Sequence, residues 1–323
     1  MKNNIKKGLL FIITIIYFLI AAEIAARVTF PSRSGIIEPE TLIKDELIIS
    51  DNKNLGWELV PSKSDTNELG FRRESRITGE KIILSIGNSI TYGLGVPYNN
   101  SYPAIVESIL GNNYSVVNAG VPGYGLPQYF EVLKTKSEKI EPSPNIIIMG
   151  FSPGDFQISP TIINIRGKYY LFNHPEYSPF ILNEKIHYFL VDRSSFYNLL
   201  YNSAERLNLR EYNPGNIVKL SDKTKNIIMD VKEYTERNEQ ELIVLLFLPI
   251  EERYDDYDWK NLYEELMAFL EENNIIYIYP IGIYKDYGMD LRLNDHPEDF
   301  EHLNALGYEK VGELVAEKIR SLE

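Results

Sequence analysis

A serine and a histidine that are far apart in the sequence stand in settings where they could do nucleophilic chemistry together. An apolar, β-branched run from Ile82 stops at Gly87, and Ser89 follows two residues later. This pattern predicts a buried strand that ends in a tight turn and leaves a hydroxyl at the carboxyl edge of a sheet, where open α/β sheets place their chemistry. A serine nucleophile needs a base. Of the four histidines, only His302 lies in a second recognisable pattern, which runs from Asp299 to Gly307.

These patterns resemble the sequence blocks of the SGNH/GDSL hydrolase family. Its first block, Gly-Asp-Ser-x-Thr-like, is similar to residues 87–91, with Asn in place of Asp, and its last block, Asp-x-x-His, is similar to residues 299–302. A middle block with an oxyanion-hole glycine is matched by Gly123 within residues 117–124. The blocks occur in the family's order, and the resemblance covers roughly residues 55 to 320. The approach at residues 56–72 also looks like the lead-in of membrane-anchored members.

The resemblance implies both a fold and a set of roles. The implied fold is a three-layer α/β/α sandwich around a five-stranded parallel sheet, of the flavodoxin-like SGNH type. Ser89 would be the nucleophile, His302 the general base and acid, and Asp299 the residue that orients the imidazole. The oxyanion hole would use the backbone N–H groups of Ser89 and Gly123. No metal and no organic cofactor is implied.

One position departs from the family pattern. The third block of the family is Gly-x-Asn-Asp-like, and its Asn side chain donates to the oxyanion. Aligning Asp155 with that block places Gly154 at the Asn position of the oxyanion hole. Losing one such donor typically costs about 10²–10³ in rate. A backbone N–H or Ser152 could replace this donor, the enzyme could be slow, or the fold could be reused for binding. Asn88 and Asp155 are expected to lie behind the site and support it.

The first thirty residues differ from the rest of the chain. Three lysines precede residues 8–22, which carry no charge, and Glu23 is the only charged residue as far as Ala26. This length is close to the roughly 20 residues that span a bilayer. An uncleaved anchor is the preferred interpretation, with a cleaved signal peptide or a buried core helix as alternatives. The lysines favour a cytoplasmic N-terminus and a catalytic domain outside, and Glu23 can pair with Arg27 on a helix.

Composition limits the partners. The whole chain carries a formal net charge of −13, and the first 33 residues are basic, so the remainder is still more acidic. Such a domain is a poor nucleic-acid binder. The absence of cysteine excludes disulfides, thiolate metal sites and thiol catalysis. The cluster of Asp255, Asp256 and Asp258 is interpreted as a solvated helix start rather than a metal site.

Strand-like and helix-like segments alternate from residue 82 onward, which predicts a parallel three-layer α/β sheet. Residues 1–30 are expected to be an anchor or signal segment, 31–80 a stalk and lead-in, and 81–323 the catalytic domain. An insertion at about 157–215 interrupts the alternation and ends in a helix near residues 194–207. The predicted strands cover residues 82–86, 114–118, 145–150, 242–248 and 275–279.

The favoured function is hydrolysis of an O-acyl ester, of a surface glycan, a lipid or a small molecule, by a membrane-anchored serine hydrolase. An O-acyltransferase acting on a surface polysaccharide keeps the same triad and changes only the acceptor. A glycan-binding or assembly protein on the same fold is the third hypothesis, and Gly154 is the residue that favours it. The sequence does not indicate an oligomeric state.

Overall fold

A computed structural model of the chain describes 2–29, 47–52, 54–63, 65–72, 77–156, 161–165, 168–172, 190, 193–197, 199–200, 203, 220–251, 254, 257, 259–293 and 299–322. The strands are, in chain order, β1 (Leu47–Ile49), β2 (Trp57–Leu59), β3 (Lys81–Gly87), β4 (Tyr114–Gly120), β5 (Ile146–Phe151), β6 (Thr161–Ile165), β7 (Lys168–Phe172), β8 (Glu241–Leu246) and β9 (Ile276–Ile278). The α-helices are α1 (Lys2–Thr29), α2 (Ser89–Tyr92), α3 (Tyr102–Leu110), α4 (Leu126–Lys136), α5 (Asp222–Arg237), α6 (Lys260–Glu272), α7 (Ile281–Tyr287) and α8 (Ala305–Arg320).

The centre of the fold is a five-stranded sheet in the order β4-β3-β5-β8-β9, and every neighbouring pair is parallel. Helices α3 and α8 pack together, as do α4 and α5. The strands are continuous apolar runs because parallel strands are covered on both faces; in β3, for example, every residue after Lys81 is buried. The predicted three-layer sandwich with a five-stranded parallel sheet is confirmed, and each predicted strand is found within two residues of its expected bounds.

The strand order places a switch point between β3 and β5. The chain leaves β3 toward β4 on one side, whereas β5, β8 and β9 follow on the other side. Loops that leave the carboxyl ends of strands on either side of such a point diverge, and a crevice forms there. Ser89 follows β3, and residues 152–156 follow β5, so both border this crevice.

The described residues between 47 and 72 pack against the core, in the segment that the sequence indicated as a stalk and lead-in. Strands β1 and β2 form an antiparallel hairpin. The Trp57 and Phe71 side chains are 1% and 2% exposed and belong to the main hydrophobic cluster. Aromatic residues of this size dominate core energetics. The hairpin was not predicted, because isolated aromatic residues in a polar segment show no clear alternation.

Helix α1 is exposed along most of its length. Its segment Lys6–Thr29 has 24 residues, and the mean hydropathy over an 18-residue window within it is 2.5, so the helix is long and apolar enough to cross a membrane or to serve as a signal sequence. In the insertion, β6 and β7 form an antiparallel hairpin that the sequence did not predict. Residues 195–197, 199–200 and 203 are helical, which agrees with the helix expected there.

Candidate active site

Ser89, His302 and Asp299 form a continuous chain of hydrogen bonds at the carboxyl edge of the sheet. The Oγ of Ser89 lies 2.7 Å from Nε2 of His302, and Nδ1 of His302 lies 2.7 Å from Oδ2 of Asp299. A carboxylate only accepts hydrogen bonds, so Nδ1 carries the proton and Nε2 is left to accept from the serine hydroxyl. The structure therefore brings Ser89 into contact with the Asp299–His302 pair, although 213 positions separate Ser89 from His302 in the sequence.

The Asp299 carboxylate fixes its own loop as well as the imidazole. Its Oδ1 accepts the backbone N–H groups of Glu301 and His302, both at 3.0 Å. Partial burial alone would raise the pKa of Asp299, but hydrogen bonds from the His302 ring and from both backbone N–H groups outweigh it and hold the pKa well below its usual range. The group is thus a carboxylate at any working pH.

The N-terminus of helix α8, which follows His302 in the chain, fixes the backbone on the C-terminal side of His302. Asn304 is its N-cap, with Oδ1 accepting the N–H of Gly307 at 3.0 Å. The Asn304 amide also donates to the carbonyls of Asp290 and Arg292, at 2.6 and 2.9 Å. An N-cap that also binds the preceding loop leaves His302, two residues upstream, little freedom.

Helix α2 presents Ser89 in its first turn. Asn88 is the N-cap, and its Oδ1 accepts the N–H of the second helical residue at 3.0 Å. The Asn88 amide donates to Oγ of Ser152, at 2.8 Å, and so ties the turn to the end of β5. Gly87 has no room for a side chain, since a Cβ there would lie 2.1 Å from Oγ1 of Thr91. The glycine is therefore required by the tight strand-to-helix turn.

Two buried side chains, Arg72 and Asn118, bind the carboxyl end of α2, and neither contact was predicted from the sequence. The Arg72 guanidinium donates to the carbonyls of Tyr92 and Gly93, at 2.5 and 2.8 Å, and stacks 4.1 Å above the Tyr92 ring. The Asn118 amide donates to the carbonyls of Thr91 and Tyr92, at 2.9 and 3.2 Å. A cation at the carboxyl end of a helix satisfies carbonyls that lack helical partners. Each has a signal in the sequence: Arg72 ends the lead-in at residues 56–72, and Asn118 is a polar residue inside an apolar strand.

Gly123 occupies a tight turn after β4. Its φ of +81°, directly after Pro122, corresponds to the third position of a type II turn, where glycine is favoured. The turn is attached to the nucleophile strand, because the Val121 N–H donates to the Gly87 carbonyl at 3.1 Å. The indole of Trp57 donates to the Pro122 carbonyl at 3.1 Å. Gly123 thus lies on a rigid turn beside the strand end that carries Ser89.

Asp155 lies behind the site and binds the loop after β5. Its Oδ2 accepts the N–H of Ser152 at 2.8 Å, the hydroxyl of Ser152 at 3.1 Å and the hydroxyl of Tyr129 at 3.2 Å. Burial raises the pKa of Asp155 to about 7, although these three hydrogen bonds oppose the rise. Together with Asn88, Asp155 fixes the loop that carries Gly154.

The hydroxyl of Ser152, which the sequence suggested as a substitute oxyanion donor, already has two hydrogen-bond partners. It accepts from Asn88 and donates to Asp155, and the residue is 1% exposed. Gly154 is partly exposed, whereas its neighbours in the turn Pro153–Phe156 are buried. A Cβ at Gly154 would meet only the Ser152 Oγ, at 3.7 Å, and Gly154 does not have a positive φ. A side chain can therefore be accommodated there.

A cavity of about 630 Å³ adjoins the triad without including it. Two of its lining residues adjoin the site in sequence: Glu301 precedes His302, and Pro153 follows Ser152. Trp259 and Phe300 contribute aromatic surface, and Glu251, Glu301 and Arg292 contribute charge.

Some sequence-based expectations lie outside the described residues. These are the acidic cluster of Asp255, Asp256 and Asp258 and the other three histidines, His174, His187 and His296. Within the part of the chain that the structure describes, no group of three or more His, Cys, Asp or Glu side chains is arranged to hold a metal ion.

The chain is similar to solved structures that are described as a lipolytic protein and as esterases. The chain is similar to a member of the lipolytic protein G-D-S-L family from Veillonella parvula, with 15% identity over 73% of this chain and 97% of that one and a TM-score of 0.45. It is similar to a carbohydrate acetylesterase from Sinorhizobium meliloti, with 12% identity, 75% and 100% coverage and a TM-score of 0.44. It is also similar to a catalytic mutant of an acetylxylan esterase from Geobacillus stearothermophilus, with 14% identity over 76% of this chain and 96% of that one and a TM-score of 0.47.

No protein-family model and no curated protein matches the sequence. The structural similarities are distant and assign no role to any residue of this chain.

Proposed function

We propose that this chain is a serine ester hydrolase of the SGNH type. The observation that carries the proposal is the hydrogen-bonded series Ser89–His302–Asp299, with both distances at 2.7 Å. A hydroxyl, an imidazole and a carboxylate in that order are the groups that acyl transfer requires.

The proposed reaction begins when His302 accepts the Ser89 proton while Oγ attacks the ester carbonyl carbon. The resulting oxyanion is stabilised by backbone N–H groups of Ser89, Gly123 and the Gly154 loop. His302 then protonates the leaving alcohol, and an acyl-enzyme on Ser89 remains. A water molecule, deprotonated by His302, hydrolyses that ester and regenerates the hydroxyl. Asp299 stays ionised throughout and stabilises the charged imidazole.

The adjoining cavity supports a hydroxyl-rich substrate. Phe300 is 49% exposed, and the Arg292 guanidinium carbon lies 6.0 Å from the centre of its ring. An exposed aromatic face beside carboxylates and a guanidinium suits a sugar, because the ring can stack and its hydroxyls can bind charged groups. We propose an O-acylated carbohydrate as the substrate class. An alcohol of the same kind could also accept the acyl group in place of water.

A fluorophosphonate probe tests the nucleophile directly. The full chain should be labelled, and Ser89→Ala should abolish both the labelling and the hydrolysis of a short-chain aryl ester. Labelling that persists in the Ser89→Ala chain would contradict the proposal.

The substrate class is tested separately. Phe300→Ala should raise KM for an acetylated sugar at least several-fold and leave kcat/KM for a small aryl ester unchanged, whereas Phe300→Tyr should keep both. Equal effects on the two substrates would refute the carbohydrate proposal. Analysis of products for transfer to added sugar would distinguish a transferase from a hydrolase.

For the whole chain, we propose that α1 is a membrane anchor with the catalytic domain on the extracytoplasmic side. The proposed boundaries are residues 1–30 for the anchor and 81–323 for the catalytic domain, with 31–80 leading into it. The three lysines ahead of the apolar span support this orientation.

A further inference from the structure

The outer part of α1 is joined to the insertion by specific polar contacts. The Glu23 carboxylate accepts the Ser194 hydroxyl at 2.8 Å and the backbone N–H groups of Ser195 and Phe196, both at 3.0 Å. Arg27 pairs with Glu23 at 2.6 Å and donates to the Arg193 carbonyl at 2.9 Å. Glu23 is therefore held by a second segment of the chain as well as by its neighbour on the helix.

These contacts cap a helix, named here the insertion helix, whose described residues are 195–197, 199–200 and 203. Ser194 is its N-cap, with Oγ accepting the Tyr197 N–H at 3.0 Å. A carboxylate near the first turn of a helix satisfies orphan N–H groups and the helix dipole. Glu23 supplies that carboxylate from another helix, so the start of the insertion helix is fixed at the level of Glu23.

An apolar groove of about 690 Å³ runs between α1 and the insertion helix. On α1 it extends from Arg27 to Ile16, and on the other wall it includes Phe196 and Leu200. With a rise of 1.5 Å per residue, Ile16 lies roughly 10 Å along α1 from Glu23, toward its N-terminus. If α1 crosses a bilayer whose core is about 30 Å thick, Ile16 lies near the middle and Glu23 in the outer half.

Leu200, on the opposite wall of the groove, is as exposed as the apolar residues of α1. It is 53% exposed, and the α1 residues that share the groove, such as Ile16 and Ile20, are exposed to a similar degree. The exposed apolar surface of α1 therefore continues onto the insertion helix. Two helices that share one apolar surface require the same surroundings, and if α1 crosses a bilayer those surroundings are hydrocarbon.

We propose that the insertion helix enters the outer leaflet beside α1, capped by Glu23, and that lipid acyl chains occupy the groove. The catalytic domain would then be attached to the membrane at two points, and α1 would be a permanent part of the fold. Cleavage after Ala26 would remove Glu23 and leave the start of the insertion helix without its carboxylate. The inference rests on α1 lying in the membrane and is independent of ester hydrolysis.

The sequence contains no cysteine, so a single introduced thiol can be read without background. Leu200→Cys, Ile13→Cys on α1 and Ser321→Cys on the exposed end of the chain are each made in the full chain. Labelling by a membrane-impermeant maleimide is then measured in open membrane fragments with and without detergent. We expect Ser321→Cys to react at once, and Leu200→Cys and Ile13→Cys to react at least tenfold more slowly until detergent is added. Rapid labelling at Leu200 with Ile13 protected would overturn the inference, and rapid labelling at both would show that α1 itself is not embedded.

Lipid contact is measured with an environment-sensitive fluorophore on Leu200→Cys in liposomes that contain nitroxide-labelled acyl chains. Strong quenching is expected. Protection from maleimide without quenching would mean that a second copy of the chain covers the groove, and would overturn the lipid assignment. Glu23→Ala should raise maleimide labelling at Leu200 several-fold while Ile13 stays protected, and Glu23→Gln, which keeps an acceptor oxygen, should have a smaller effect. No change in Glu23→Ala would contradict the capping role.

Discussion

The glycine at position 154 offers a gain-of-function test of the oxyanion hole. The three hydrogen bonds of Asp155 and the buried Ser152 hold its loop in place, and a Cβ at Gly154 meets no atom closer than 3.7 Å. Its backbone does not require a left-handed conformation, so an asparagine introduces no strain there. An Asn side chain would add a donor that the wild-type chain lacks.

The expected gain follows from what one such donor contributes. Removing a side-chain donor from an oxyanion hole costs about 10²–10³ in kcat, or roughly 3–4 kcal/mol. Gly154→Asn should therefore raise kcat for a short-chain aryl ester by up to about 10²-fold. The effect should fall on kcat more than on KM, because the negative charge develops only in the transition state.

Matched variants isolate the donor from the added volume. Gly154→Asp has nearly the shape of Asn but places a negative charge near the oxyanion, so its kcat should fall below that of wild type. Gly154→Ala adds only the Cβ and should change the rate little. Equal rates for folded Asn and Asp variants would refute the reasoning, and so would a Gly154→Asn rate at or below that of wild type.

Four further outcomes are expected. Ser89→Ala and His302→Ala should each abolish ester turnover, and the double variant should be little worse than either, as kinetics on folded chains can check, because triad members act as a unit; additive losses would contradict this. Arg72→Met should lower the free energy of unfolding by about 3 kcal/mol or more, since buried carbonyls lose their donor, whereas Arg320→Met at an exposed contact should cost little by denaturant titration. The pKa of Asp155 in the folded chain, about 7, lies above its value in the unfolded chain. As the pH rises from about 4 to 7, the unfolded state loses this proton first, so the free energy of unfolding falls by up to about 4 kcal/mol. Thermal unfolding measured at about pH 4 and pH 7 should show a smaller fall in Asp155→Asn than in wild type. Protease added to intact spheroplasts should digest the catalytic domain, and full protection would exclude an outward orientation.

The parallel sheet could be predicted because its strands are long apolar runs bounded by glycine and polar residues. In β3 and β4 every residue except Lys81 is buried. Such strands can be recognised in the sequence from their apolar composition. The association of Ser89 with the Asp299–His302 pair could be expected from the sequence because each part has a local pattern that resembles a block of one hydrolase family. The 2.7 Å contact itself is seen only in the structure, because His302 lies in the loop before α8 and not at the end of a strand.

The support of the nucleophile could not be predicted in the same way. Arg72 meets α2 across about twenty residues of sequence, and Asn118 does so from the next strand. Neither contact has a periodic pattern, since each joins one side chain to backbone carbonyls of a distant turn. The same holds for Glu23, whose pairing with Arg27 was expected from the helical spacing but whose contacts with residues 194–196 were not.

The packing of β1, β2 and Arg72 has a practical consequence for any shortened form of the chain that omits α1. A chain cut just before β3 would retain every residue of the triad and the whole parallel sheet. It would lose Trp57, which holds the Gly123 turn, and Arg72, which holds the far end of α2. Such a fragment could fold and still be inactive for reasons unrelated to its chemistry. A version intended for enzymology must therefore include β1, β2 and Arg72.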